Sequence, residues 1–168
     1  MFTQLLRTRR CLVSSAGYTS VMPKRILVVD DETEFSELLQ FRLAIRDYEV
    51  LAAATGTEAL NKARSELPDA ILLDLLLPDL DGLTLCEIFR RLPSTRDTPI
   101  IMITAVMTEA TRAAAKVAGA RGLLGKPLDF DQLRAQLEIA FTSKAASDES
   151  PEAFPTQSSS HSRAHLNR

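Results

Sequence analysis

Polar side chains stand directly after several short apolar runs of this 168-residue sequence. Along the chain, these positions are Asp30 with Asp31, Asp74, Thr104 and Lys126. Each alone has an ordinary explanation, such as a helix cap, a turn or a solvated side chain. If the apolar runs are parallel strands of one sheet, however, all five side chains reach the same edge, which favours one shared site.

The segments that would hold these side chains alternate between strand and helix. Continuous aliphatic and β-branched content predicts strands over residues 26–29, 49–53, 70–73, 100–103 and 122–125. Helical spacing of apolar residues predicts helices over 34–46, 83–91, 108–118 and 129–141. A further helix follows the second strand, with Thr57 as its cap and its end set by Pro68.

This alternation, with strands apolar on both faces, is typical of a parallel sheet covered by helices on both sides. We predict a doubly wound, five-stranded α/β domain of the flavodoxin-like (βα)5 type, with strand order 2-1-3-4-5. In such sheets the ligand site lies outside the carboxyl ends of the strands, where the strand order reverses. Strands 1 and 3 border that crevice, so Asp30, Asp31 and Asp74 are expected to converge there.

Three carboxylates at one crevice need compensation of their negative charge. At about 4 Å apart, each pair repels by roughly 4 kcal/mol at an effective dielectric near 20. A protonated Asp, the Lys126 ammonium or a bound metal would relieve this repulsion, and oxygen ligands without His or Cys select a hard divalent cation. Mg²⁺ is the expected cofactor, and because it commonly joins carboxylates to phosphate oxygens, it indicates phosphoryl chemistry.

Five segments resemble the signature segments of response regulator receiver domains, the CheY-like domains of two-component systems. They are Val28 to Glu32, Leu73 to Leu75, Leu77 to Gly82, Ile103 to Ala105 and Gly125 to Leu128. Their order and spacing also match, and the resemblance runs from about Lys24 to Phe141. It implies a stand-alone phosphoacceptor protein in a phosphorelay, which is no enzyme beyond catalysing its own phosphorylation and slow dephosphorylation.

The resemblance also implies roles for single residues. Asp74 is the phosphoacceptor, Lys126 supplies positive charge during transfer, and Thr104 donates a hydrogen bond to the bound phosphoryl group. The residues implied to hold Mg²⁺ are Asp30, either directly or through a water molecule, Asp31, Asp74 and, through its carbonyl, Leu76. Leu76 and Val106 flank the phosphorylation site by the same likeness, and their apolar side chains should hinder the attacking water and prolong the phosphorylated state.

Four positions are implied to form the switch: Thr104, Ala105, Leu123 and Pro127. Ala105 leaves room for the phosphoryl group, and the Lys126–Pro127 bond resembles the family's cis peptide, since cis is accessible at X–Pro bonds. The family often has Tyr or Phe where this chain has Leu123. This departure keeps open a second function, that of a phosphorylation-independent docking module with a receiver fold.

A phosphatase and a nucleotide-binding module fit the residues less well. A haloacid-dehalogenase-type phosphatase needs an acid two residues after its nucleophile, where this chain has Leu76. A nucleotide-binding module needs a glycine-rich phosphate loop after the first strand, where this chain has acids. The phosphoryl donor is therefore expected to be a sensor histidine kinase or phosphotransfer protein, or a small acyl phosphate. By the family likeness, a downstream output protein is expected to bind at helix 4 (108–118), strand 5 (122–125) and helix 5 (129–141). The same surface is implied for a phosphorylation-dependent homodimer.

Composition bounds the partners and the compartment. The net charge of −2 provides no basic surface for direct nucleic acid binding, and no apolar stretch approaches the roughly 20 residues of a membrane span. Two distant cysteines indicate a reducing compartment, so a cytoplasmic protein is expected.

Residues 1–22 form a basic extension, either a transit-like segment or sequence preceding a true start at Met22. Residues 23–142 are the predicted receiver domain, and 143–168 a disordered polar tail.

Overall fold

The computed structural model describes residues 22–148, which form a five-stranded sheet with helices on both faces. The strands are Arg25–Val29 (β1), Glu49–Ala53 (β2), Ala70–Asp74 (β3), Ile100–Thr104 (β4) and Gly122–Gly125 (β5). The helices are Thr33–Ala44 (α1), Gly56–Glu66 (α2), Gly82–Arg91 (α3), Glu109–Val117 (α4) and Phe130–Asp148 (α5). Every pairing is parallel in the order β2-β1-β3-β4-β5, which confirms the predicted fold class.

Buried aliphatic side chains cover both faces of the sheet. Successive strand residues point to opposite faces, so Leu73 packs in one core with Phe89 of α3, and Leu72 packs in another with Leu137 of α5. β3 and β4 are buried along their whole length. This burial explains why their sequences are continuously apolar rather than alternating, and it anchors the strands whose ends carry the polar side chains.

The prediction that Thr57 caps the second helix is wrong, because Thr55 is the cap. Thr55 has extended backbone geometry, and its hydroxyl accepts a hydrogen bond from the Glu58 N–H at 3.1 Å. The Glu58 carboxylate in turn accepts from the Ala54 N–H at 3.0 Å. These two bonds satisfy amides that the helix itself cannot pair. Thr57 lies inside α2, where its hydroxyl donates to Asp79.

Several other boundaries also differ from the sequence prediction. β3 and β4 each run one residue further, so that Asp74 and Thr104 end them. α1 ends at Ala44 rather than at residue 46, shortly before Asp47 turns the chain with φ 60°. α5 continues to Asp148, into the segment predicted to be disordered.

The predicted extension over 1–22 and the predicted tail over 143–168 fall mostly outside the described residues. Only Met22 and the end of α5 belong to the described part of the chain. Among the described helices, none combines the length and apolar character that crossing a membrane requires.

Candidate functional site

Three acidic side chains converge at the carboxyl edge of the sheet. β1 and β3 are neighbours, with Val29 paired to Leu73, so the chain delivers Asp30 and Asp74 side by side. Asp30 is 3% exposed and Asp74 8%, whereas Asp31 is exposed. One carboxylate oxygen from each lies within 4.8 Å of the other two. The predicted convergence of these three residues is therefore present.

Lys126 reaches this cluster from the end of β5. Its Nζ donates to Asp30 Oδ2 at 2.8 Å and to Asp74 Oδ2 at 3.1 Å, and it lies 3.7 Å from Glu32 Oε2. The Lys126 amide donates to the Thr104 carbonyl at 2.7 Å, which ties its backbone to β4. The Lys126–Pro127 peptide is cis, as the family resemblance implied. Lys126 thus links two buried carboxylates through one ammonium group.

Burial and hydrogen bonding shift the pKa values of Asp30 and Lys126 in opposite directions. Burial raises the pKa of Asp30 above its ordinary 3.8, and the hydrogen bonds from Lys126 and the Glu32 amide offset this only in part. Burial alone would lower the pKa of Lys126, but its bonds to Asp30 and Asp74 outweigh that effect and raise the pKa above 10.5. Lys126 is therefore protonated at neutral pH. A single ammonium faces three carboxyl groups, which leaves the site able to accept further positive charge.

Thr104 lies at the same edge, but its hydroxyl is engaged within its own loop. Thr104 Oγ1 accepts from the Val106 N–H at 3.0 Å and lies 3.3 Å from the Val106 carbonyl, to which it donates. No hydrogen bond among the described residues joins the Thr104 hydroxyl to Asp74. Ala105, the next residue, is exposed. The structure places these two predicted residues beside the site without joining them to the carboxylates.

The remaining predicted residues surround the acids. Leu76 is 70% exposed in the loop after β3, and its N–H donates to Asp74 Oδ1 at 3.4 Å. Leu123 is half-buried in β5 and packs against the core under the sheet edge. Pro127 is exposed beside Lys126. In this arrangement Leu123 is a packing residue, and Leu76 has a direct backbone contact with the central carboxylate.

Two neighbours of Lys126 were not among the predicted site residues. Glu32 contributes the third carboxylate near its ammonium, and the centre of the Phe35 ring lies 4.3 Å from Lys126 Nζ. Phe35 belongs to the first turn of α1 and fits the apolar helical spacing of that helix. Its spacing therefore indicated packing alone. Only its position shortly after the acidic residues 30–32 could have suggested a contact with Lys126.

Known proteins resemble this chain in sequence. A family model described as the response regulator receiver domain matches residues 26–138. Response regulator PleD of Caulobacter vibrioides is 39% identical over 128 residues, which are 76% of this chain and 28% of PleD. Response regulator MprA of Mycobacterium sp. (strain KMS) is 40% identical over 132 residues, 78% of this chain and 56% of MprA. The chain thus spans about half or less of these relatives.

Solved structures superpose on this chain over nearly their whole length. A putative response regulator from Chloroflexus aurantiacus superposes with a TM-score of 0.69 and 38% identity, covering 71% of this chain and 98% of that one. A CheY-like receiver domain protein from Methanospirillum hungatei gives a TM-score of 0.70 and 30% identity, covering 74% and 98%. With the family match, the shared topology and the converging acids, this chain belongs to the response regulator receiver domain family of two-component signalling proteins.

Proposed function

We propose that this chain accepts a phosphoryl group on Asp74 and passes the signal on through a phosphorylation-dependent contact with another protein. The observation that carries the proposal is the Lys126 ammonium, which binds the buried Asp30 and Asp74 carboxylates together at the edge of the sheet. Phosphoryl transfer needs a nucleophile held beside positive charge. Asp74 and Lys126 meet that requirement in the ground state.

The residues present fit a Mg²⁺ ion. Asp30, Asp31 and Asp74 each offer an oxygen within one cluster, without a His or Cys in it, and hard oxygen ligands are those that Mg²⁺ prefers. The Leu76 carbonyl would be the remaining protein ligand by the family likeness. When bound, Mg²⁺ would supply positive charge that neutralises the oxygens of the phosphoryl group.

The chain's own residues account for the remaining steps. An Asp74 carboxylate oxygen forms a bond to phosphorus while the bond from phosphorus to the donor nitrogen or acyl oxygen breaks. Lys126, already 3.1 Å from Asp74 Oδ2, holds positive charge beside the transferring group. Afterwards the Thr104 hydroxyl exchanges its bond to the Val106 carbonyl for one to a phosphoryl oxygen. That exchange would move the loop after β4, with Ala105 leaving the necessary room.

By the family likeness, two apolar side chains flank the phosphorylation site. Leu76 is 70% exposed and Val106 is 57% exposed, one after β3 and the other after β4. Neither can orient or deprotonate a water molecule. We therefore include a long-lived phosphorylated state in the proposal, with the chain catalysing only its own phosphorylation and slow dephosphorylation.

Partners follow from the same chemistry. The donor would be a sensor histidine kinase or phosphotransfer protein in the cytoplasm, and the output partner would bind the face formed by α4, β5 and α5. Exposed apolar side chains near that face, Met107 at 41% and Val117 at 86%, support a protein contact there. The same face would serve a phosphorylation-dependent homodimer. We propose no direct contact with nucleic acid.

Intact mass after incubation with Mg²⁺ and acetyl phosphate tests the proposal. The parent should gain one phosphoryl group, and Asp74→Ala or omission of Mg²⁺ should abolish the gain. Asp97→Ala is the matched control, because Asp97 is 80% exposed in the loop that precedes β4. If neither acetyl phosphate nor beryllofluoride affects the parent, the chain is instead a phosphorylation-independent docking module. Leu123, a packing residue where the family often has Tyr or Phe, favours that second function.

A further inference from the structure

We infer that Phe35 is a positioning residue, whose ring holds the Lys126 ammonium against Asp30 and Asp74. This inference rests on the proposed phosphoryl transfer, because positioning Lys126 matters only if Lys126 assists that transfer. It adds an aromatic contact from α1 to a site otherwise built from strand ends.

The geometry is that of a cation held by an aromatic ring. Lys126 Nζ lies 4.3 Å from the centre of the Phe35 ring, within the roughly 6 Å over which a ring face attracts an ammonium group. The Lys126 side chain is 17% exposed, and Phe35 is half-buried. Partial exclusion of water strengthens such a contact, since the ammonium has lost part of its competing hydration.

Phe35 is also held firmly where it stands. It lies in the first turn of α1, three residues after Glu32, and packs against the core that contains Leu39 and Leu133. A lysine side chain is flexible and can present its charge in many directions. The packed Phe35 ring limits the positions that the Lys126 ammonium can adopt before a phosphoryl donor binds.

The Phe35 contact also counteracts the attraction of the Lys126 ammonium to the Glu32 carboxylate. Glu32 Oε2 lies 3.7 Å from Lys126 Nζ, and the Glu32 side chain is 64% exposed. An ammonium drawn toward Glu32 would turn toward solvent and away from Asp74. The Phe35 contact, together with the bonds to Asp30 and Asp74, keeps the charge where transfer needs it.

Phe35→Leu keeps an apolar side chain and removes the ring, whereas Phe35→Tyr keeps the ring. We expect Phe35→Leu to lower the rate constant for phosphorylation by acetyl phosphate about tenfold, the factor that a lost cation–π contact of ordinary strength represents. Phe35→Tyr should restore most of the parent rate. Phe41→Leu is the matched control, since Phe41 lies on the same helix and is 64% exposed.

The position of Lys126 is measured separately by NMR, without any phosphoryl donor. In the parent, the Lys126 ε-methylene protons should be shifted upfield by the ring, and Phe35→Leu should abolish the shift while Phe35→Tyr retains it. An unshifted Lys126 signal in the parent would overturn the contact itself. Normal phosphorylation of the parent with an equal rate for Phe35→Leu would overturn the positioning role alone. A parent that takes up no phosphoryl group would overturn that role together with the proposed function.

Discussion

Replacing Gly82 by Ala tests how closely α3 packs against the end of β3. A Cβ atom at Gly82 would lie 2.3 Å from the Asp74 carbonyl oxygen and 2.7 Å from the Leu75 Cα. Ordinary van der Waals contact begins at 3.4 Å, and both obstacles are backbone atoms that no side-chain rotation can move. The start of α3 and the end of β3 must therefore separate by about 1 Å.

The size of the effect follows from two opposing contributions. Overpacking of this kind costs about 1–3 kcal/mol, while exchanging Gly for Ala in a helix contributes about 0.5–1 kcal/mol of stability. The two contributions leave a net loss of stability between about 0 and 2.5 kcal/mol. Because the new Cβ would meet backbone atoms at 2.3 and 2.7 Å, Gly82→Ala is expected in the upper half of that range. Because the obstructing atom belongs to Asp74 itself, the displacement should also slow phosphorylation.

Urea unfolding followed by circular dichroism measures the difference in stability. Gly56→Ala is the matched control, because Gly56 is likewise the first residue of its helix. Its new Cβ would meet Leu80 Cδ1 at 2.9 Å, Leu80 Cβ at 3.0 Å and Asp79 Oδ1 at 3.3 Å. The Cδ1 atom can rotate away, and the other two contacts need a shift of only a few tenths of an ångström. Gly56→Ala should therefore cost clearly less than Gly82→Ala. If the two variants were equally stable, the close approach of α3 to Asp74 would be refuted.

The Asp79 carboxylate accepts hydrogen bonds from the Thr57 and Gly56 amides, which lower its pKa from 3.8 to about 2. Asp79→Asn should therefore be less stable than the parent above pH 3.8, and this difference in the free energy of unfolding should disappear as the pH falls toward 2. Urea unfolding at several pH values measures the difference, and a value that does not change with pH would contradict the prediction. Burial raises the pKa of the Cys86 thiol to about 11, so iodoacetamide should modify the Cys86 peptide only in denaturant. Labelling of the Cys86 peptide in the native protein would contradict the closed core. Leu76→Asn combined with Val106→Glu should shorten the life of the phosphorylated state by about tenfold or more, because polar side chains can orient the attacking water. A lifetime equal to the parent's, measured by loss of the phosphoryl mass, would contradict the proposed slow hydrolysis.

The sheet was predictable because its signals are local. β-branched and aliphatic runs such as Ile100 to Ile103 are typical of strands buried on both faces, as in a parallel sheet covered by helices. Helix ends were less predictable, because capping depends on side-chain hydrogen bonds. Thr55 and Glu58 have the spacing of a capping box, yet Thr57 looked equally suitable by residue type. The extension of α5 escaped prediction since apolar periodicity marks packing, while Ala-containing sequence continues a helix without it.

Some features of the candidate site could likewise be predicted from the sequence, and others could not. Asp30, Asp74 and Lys126 could be predicted because strand direction alone brings strand ends to one edge. The contact between Phe35 and Lys126 could not, since it joins the first turn of α1 to the end of β5 and depends on the path of a long side chain. The bond between the Thr104 hydroxyl and the Val106 backbone is a rotamer choice, which sequence spacing does not encode.

Asp74 is the proposed carrier of the phosphoryl group. After incubation with Mg²⁺ and acetyl phosphate, borohydride reduction converts an aspartyl phosphate to homoserine, which tandem mass spectrometry locates in the sequence. We expect homoserine at position 74 in the treated sample and none in a sample without donor. Homoserine at position 30 or 31, or its absence from a sample whose intact mass shows a bound phosphoryl group, would contradict the assignment of Asp74 as the acceptor.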